Sequence, residues 1–328
     1  MMAPMRLVYL GSGEFGLPTL DALAGEHDVV AVVTQPDRPA GRGRALTPTP
    51  IASWAAGHLP GAVILKPERI NEPEVVARLR GLGADAWVVI AFGQKLGREL
   101  LEGVLAINLH ASLLPRWRGA APINAAILAG DATTGNTVIT LADRMDAGEI
   151  LAQSSRPIEP NLTAGALHDL LASDGPALVR GVLEAHARGT LTRRPQDESL
   201  ATRAPKLSKA DSWVDFRQAA QVCRARIHGL TPWPGVNARL IAGQHIHDLK
   251  LTLVEVLPTG GGSAPLAPHD AGPGTLADIS QGVVACGGGT ALRLVAVKPS
   301  GKREMAWHEF IQGHRLPDGS RLDGMPAR

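Results

Sequence analysis

Trp87-Val88-Val89-Ile90-Ala91 is an unbroken apolar run with no polar position to spare for solvent. Successive side chains of a strand point to opposite faces, so a strand of this composition must be covered on both. That is the situation of an inner strand in a parallel sheet with helices above and below. Around it, from Leu7 to about Gly189, short apolar runs alternate with helical patterns. Leu7–Leu10, Val29–Val33 and Ala62–Leu65 are strand candidates, while Leu17–Leu23, Val75–Leu82 and Ala121–Ala129 have helical character. The alternation predicts an α/β fold with a doubly wound, mostly parallel sheet. In such sheets ligands bind outside the carboxyl ends of the strands.

Just past one more strand candidate, Val104–Ile107, the chain reads Asn108-Leu109-His110-Ala111-Ser112-Leu113-Leu114-Pro115-Arg116-Trp117-Arg118-Gly119-Ala120-Ala121-Pro122. Residues i and i+2 of an extended segment share a face, so Asn108 and His110 project together. An amide and an imidazole aimed at one point can polarise a carbonyl or hold a developing oxyanion. The plainer alternative is that both satisfy backbone groups at a strand end; the carboxylate introduced below tips the balance toward chemistry. Pro115 and Gly119 limit helix formation in the loop, and Pro122 suits the first turn of a helix that runs to Gly130.

The chain has 328 residues, which favours two domains, each with enough apolar content for a core. Its 33 Lys and Arg against 31 Asp and Glu leave a net charge of +2, so any basic surface is local. Cys223 and Cys286 stand far apart without metal-ligand spacing and read as reduced thiols. No apolar stretch reaches the roughly 18 residues of a spanning helix and no signal-peptide core follows Met1–Arg6, so no membrane partner and a cytoplasmic location are expected. Over residues 190–209 the apolar periodicity fades, and Arg193, Arg194, Arg203, Lys206 and Lys209 outnumber Asp197 and Glu198. This divides the chain into a catalytic domain at 1–189, a linker at 190–209 and a smaller domain at 210–328. The last has a helical stretch at Phe216–His228, strand candidates at Leu249–Val256, Gly282–Ala285 and Leu292–Val297, and Gly/Pro-rich turns such as Thr259–Pro268. A small β-rich domain, in barrel form, is the expectation.

Gly11-Ser12-Gly13-Glu14-Phe15-Gly16 follows a strand and opens a helix, satisfying the GxGxxG pattern of dinucleotide-binding folds. That pattern also wants an acidic residue closing the second strand. Here Thr34-Gln35-Pro36-Asp37-Arg38-Pro39 places Asp37 beyond the strand in a Pro-rich loop, so a tight turn of small residues is preferred over a nicotinamide-dependent oxidoreductase.

The run Asn108-Leu109-His110-Ala111-Ser112-Leu113-Leu114-Pro115, with Met145-Asp146-Ala147-Gly148 later, resembles the folate-dependent formyltransferases, whose signature is Asn-x-His, Ser-Leu-Leu-Pro and a carboxylate in an Asp-x-Gly turn. Arg116–Pro122, Thr34–Arg44, Lys206-Leu207-Ser208-Lys209, Pro232-Trp233-Pro234-Gly235 and Gly301–Met305 are similar to the branch acting on initiator methionyl-tRNA, in order over nearly the whole chain. The resemblance implies a doubly wound catalytic domain and a C-terminal barrel related to the OB type, acting without a metal on 10-formyltetrahydrofolate as formyl donor and an amine as acceptor, in a monomer. It implies that Asn108 and His110 stabilise the oxyanion, that Asp146 pairs with His110 and assists proton removal, and that Ser112, Leu113, Leu114, Pro115, Ala91, Phe92 and Gly93 line the folate pocket. It also implies that Arg38, Arg42 and Arg44 meet the tRNA acceptor stem, with Arg42 foremost, while Lys206 and Lys209 track phosphates.

Two positions depart from the pattern: Gly13 where Pro is usual, and Arg144 where Gly commonly precedes the Met-Asp turn. The second bears on the backbone and charge of the Asp146 loop. Competing functions are a formyltransferase acting on an amino sugar or glycinamide nucleotide, the oxidoreductase already weighed, and a non-catalytic tRNA-binding protein.

Overall fold

The computed structural model describes residues 3–41, 43–258 and 271–325; Arg42 and the expected turns at Thr259–Pro268 lie outside the described residues. The chain forms two compact units. One comprises the chain up to Gly119 together with Thr134–Arg156 and His168–Arg203; the other comprises Ala120–Thr133, Pro157–Leu167 and the chain from Ala204 onward.

The first unit is built on a sheet of β1 (Arg6–Gly11), β2 (Asp28–Val33), β3 (Val63–Leu65), β4 (Ala86–Ile90), β5 (Leu105–His110), β6 (Thr133–Thr140) and β7 (Ile150–Pro157), in the order β7-β6-β5-β4-β1-β2-β3. β1 to β5 pair in parallel, with Tyr9 opposite Val88 and Val89 opposite Asn108. β6 joins β5 antiparallel. Every residue of β4 is buried, as its unbroken apolar run requires. The helix Pro73–Arg80 adds Leu79, fully buried against Val8, Val33 and Trp87, a side chain whose burial stabilises by about 2 kcal/mol. The strand order reverses between β1 and β4, the place where a doubly wound sheet opens a crevice at its carboxyl edge.

The glycine-rich turn after β1 is shaped by Tyr9. Its hydroxyl donates to the Gly16 carbonyl at 2.9 Å, and a Cβ on Gly16 would lie 2.1 Å from that oxygen. A Cβ on Gly11 would lie 2.8 Å from the Ile90 carbonyl, whereas Gly13 has open space around it. Two of the three glycines thus serve the packing of β1 against its neighbours, in keeping with a tight turn of small residues.

β6 and β7 were not among the strand candidates, because polar residues and Gly135 interrupt their apolar pattern. Gly135 is nonetheless required, since a Cβ there would sit 1.8 Å from the Ser154 carbonyl. β5 also extends beyond its apolar part, so Asn108 and His110 are its last residues rather than the start of a loop.

The second unit carries β8 (Val236–Ala242), β9 (His245–Val256), β10 (Leu276–Asp278), β11 (Val283–Ala285), β12 (Ala291–Pro299) and β13 (Arg321–Asp323), ordered β10-β11-β12-β9-β8-β13, all antiparallel. The two ends of this order meet. Thr275 bridges Arg321, Leu276 N–H donates to the Ser320 carbonyl at 2.9 Å and Leu322 N–H to the Gly274 carbonyl at 2.8 Å. The sheet therefore closes into an OB-like barrel around Leu240, Leu251, Val254, Leu292, Val297 and Phe310. β8, absent from the strand candidates, alternates inward and outward as a barrel strand must. The helix Ala220–Leu230 packs on this core, and Asn124 of the helix Pro122–Leu128 donates to the Gly229 carbonyl at 2.7 Å.

Candidate active site

Along β5, Ile107 and Leu109 are buried in the core, and Asn108 and His110 take the opposite face. Asn108 is half-buried, and among the described residues its side-chain amide has no hydrogen-bond partner. His110 is 7 % exposed. Its Nε2 lies 2.9 Å from the Trp117 carbonyl, which can only accept, so this nitrogen carries a proton. Its Nδ1 faces Asp146 Oδ2 at 3.7 Å, an ion-pair separation too long for a direct hydrogen bond. The same Oδ2 accepts the Gly119 N–H at 2.9 Å.

One short segment therefore fixes both groups: Trp117 orients the imidazole through its carbonyl, and Gly119 orients the carboxylate through its amide. Trp117 and Gly119 both have positive φ, at 63° and 128°, which lets the backbone present a carbonyl and an amide to the same site. Asp146 is itself left-handed at φ 53°. Two residues on, a Cβ at Gly148 would lie 1.6 Å from the Thr140 carbonyl, so the Asp-x-Gly turn admits only glycine there.

The loop Ser112–Pro115 is fastened to β6 and β7. Ser112 Oγ donates to the Arg116 carbonyl at 2.7 Å, Thr137 Oγ1 donates to the Ser112 carbonyl at 2.6 Å and accepts Leu114 N–H at 3.1 Å, and Gln153 Nε2 donates to the Leu114 carbonyl at 2.9 Å. Leu114 is buried against Ile139 and Ile150, Leu113 and Pro115 are half-buried, and the Leu114–Pro115 peptide is cis. At the end of β4, Ala91 and Gly93 are exposed, whereas the Phe92 side chain enters the sheet core. The Phe92 carbonyl accepts Gln35 Nε2–H at 2.9 Å.

The basic residues fall into separate units. Arg38–Ala40 pairs antiparallel with Ala45–Thr47 in a short ribbon of the first unit, where Arg38 is ion-paired with Glu68 at 2.9 Å and Arg44 is exposed. Lys206 and Lys209 are exposed in the second unit. Lys209 lines a cavity of about 630 Å³ with Trp213, Arg239, Lys250 and Lys298. Among the described residues no group of three or more His, Cys, Asp or Glu is placed to hold a metal ion, and no helix is long and apolar enough to cross a membrane.

Four residues join the site without having been assigned a role in it from sequence. Arg118 is buried and bonds Glu198 through both terminal nitrogens, at 3.1 and 2.8 Å, and Gln196 through Nε and Nη2. Arg144 bonds the same Glu198 at 2.9 Å. Hydrogen bonding from Arg118 first, and then Arg144, holds the Glu198 carboxyl down to about 2. Arg144 is not among the positive-φ residues; the left-handed angle falls on Asp146, and the added guanidinium turns to Glu198. Gln196 and Glu198 lie in the stretch whose only signal was polarity, and no spacing rule ties residue 196 to residues 118 or 146.

Residues 5–183 match the formyl transferase family, and residues 206–315 match the formyl transferase C-terminal domain. A protein named methionyl-tRNA formyltransferase from Geobacter metallireducens is 39 % identical over 98 % of this chain and 99 % of its own. One of the same name from Moorella thermoacetica is 39 % identical over 97 % and 99 %. The crystal structure of WlaRD, a sugar 3N-formyl transferase in the presence of dTDP and 5-N-formyl-THF, superposes with a TM-score of 0.63 over 92 % of this chain and 100 % of that one. At 12 % identity this last likeness speaks for the fold.

Proposed function

This chain belongs to the formyl transferase family, and from that premise we propose that it transfers the formyl group of 10-formyltetrahydrofolate to the α-amine of initiator methionyl-tRNA, giving N-formylmethionyl-tRNA. The observation that carries the proposal is the end-to-end likeness to proteins named for this reaction, in a chain whose β5 ends on Asn108 and His110 beside Asp146.

The neutral amine attacks the formyl carbon, forming the new C–N bond while the carbonyl oxygen gathers negative charge. Asn108, whose side-chain amide bonds none of the described residues, donates to that oxygen; His110, whose Nε2–H is held by the Trp117 carbonyl, does so through Nδ1 when that nitrogen, beside the Asp146 carboxylate, also carries a hydrogen. Asp146 takes the proton that the attacking nitrogen sheds. As the intermediate collapses, the bond from the formyl carbon to N10 breaks and N10 receives a proton in place of that bond, balancing the one given up to Asp146. Ser112, Leu113, Leu114 and Pro115, with Ala91, Phe92 and Gly93, form the folate pocket; the hydrogen bonds that fasten the 112–115 loop support a pre-formed wall. Arg38, Arg42 and Arg44 engage the acceptor end of the tRNA, and Lys206 and Lys209 its backbone. No step passes through a metal, and the enzyme acts in the cytoplasm as a monomer.

The test is formyl transfer from 10-formyltetrahydrofolate to charged initiator methionyl-tRNA, with elongator methionyl-tRNA and a nucleotide-linked amino sugar run in parallel. Transfer to the initiator alone is expected. Transfer to the sugar and to neither tRNA would overturn the acceptor and keep the reaction class.

A further inference from the structure

We propose that Gln196 is a positioning residue that sets the Asp146 carboxylate against His110; this rests on the reading of Asp146 as the proton acceptor. The Gln196 side chain makes four hydrogen bonds, and each end has one task. Its Nε2 donates to the Asp146 carbonyl at 2.8 Å and to the Gly148 carbonyl at 2.7 Å, gripping the Asp-x-Gly turn by its backbone. Its Oε1 accepts from Arg118 Nε at 3.0 Å and Nη2 at 2.8 Å. Arg118 sits between Trp117, whose carbonyl orients His110, and Gly119, whose amide orients Asp146. One carboxamide thus joins the turn that carries the carboxylate to the segment that aims both reacting side chains.

Only a carboxamide fills this place. The position needs two N–H donors on one atom for two carbonyls, and an acceptor oxygen for two guanidinium N–H groups. A glutamate would set an oxygen against two carbonyl oxygens, and a lysine would set a cation against Arg118. Holding the turn matters because Asp146 is left-handed at φ 53°, a conformation less favourable than the ordinary right-handed ones even for Asp, which tolerates it better than most residues. Glu198 supplies the counter-charge of Arg118 independently, so replacing Gln196 leaves that buried guanidinium paired.

The experiment is steady-state formyl transfer by Gln196→Glu and by the shape-conserving Gln196→Met, each alone and on an Asp146→Asn background, with thermal melting and folate binding measured on every protein. We expect kcat to fall roughly 10- to 100-fold in each single variant, with KM for folate and for tRNA within about twofold of the parent. We expect no further loss when either change is added to Asp146→Asn, because the residue acts through that carboxylate. A kcat within about twofold of the parent in both variants would overturn the proposal, as would a loss that adds in full to that of Asp146→Asn. Should Asp146→Asn itself retain full activity, the assignment of the proton acceptor fails, and that result is distinct from a silent Gln196.

Discussion

His110 and Asp146 face each other across 3.7 Å, Nδ1 to Oδ2, and both are held from the three residues Trp117–Gly119. The imidazole is anchored at its far nitrogen and the carboxylate at one oxygen. Among the described residues the second carboxylate oxygen and the near ring nitrogen make no hydrogen bond, which leaves both available to the amine and the formyl group of the proposed reaction.

Asp146→Asn retains an oxygen for the Gly119 N–H but cannot take a proton. Transfer to initiator methionyl-tRNA is expected to drop about 10²- to 10⁴-fold with the melting temperature nearly unchanged, measured by single-turnover kinetics and calorimetry. A melting temperature lowered along with the rate would assign the residue to structure.

Asn108→Ala removes an amide to which none of the described residues bonds, so stability is expected to hold. The rate of the chemical step is expected to fall by about 10²–10³, the usual effect of losing an oxyanion donor, with little change in substrate KM. Rapid-quench measurement of the transfer step distinguishes this from slower binding.

Gly16 and Tyr9 are coupled by packing. Gly16→Ala sets a methyl 2.1 Å from the Tyr9 hydroxyl and is expected to destabilise by about 1–3 kcal/mol. Tyr9→Phe removes that oxygen, so the double variant is expected to lose less than the sum of the two single changes in urea unfolding. Additive losses would show that the clash is relieved elsewhere.

His228 makes the fold acid-sensitive. Its Nε2 accepts the Val254 N–H at 3.1 Å, and burial, followed by the charge of Arg224, pushes its ring from 6.5 down to about 4. Between those values the unfolded chain binds a proton that the native ring refuses. The contribution is therefore intact above about pH 6.5 and declines as pH falls toward 4, by roughly 3 kcal/mol in all. Urea midpoints at pH 7 and pH 4.5 are expected to differ less in His228→Gln, which has no ring to titrate.

The inner parallel strands were legible in the sequence because burial on both faces leaves unbroken apolar runs such as Trp87–Ile90. β6 and β7 were not; in β6 the polar side chains of Asn136 and Thr137 are buried, where they donate to the carbonyls of Leu171 and Ser112, residues distant in the sequence. The barrel was legible in outline. Its closure depends on the meeting of residues near 275 with residues near 321, a contact that no local pattern encodes.

The sequence by itself determined the pairing of Asn108 with His110, because alternation along a strand is a local property of the backbone. It also marked Asp146 and the glycine that its turn requires. Only the tertiary structure decided how the carboxylate is held. The Gly119 amide holds its oxygen, Gln196 holds the backbone of its turn, and Arg118 joins Gln196 to Glu198, in hydrogen bonds between segments as many as 80 residues apart whose geometry exists only once the chain has folded.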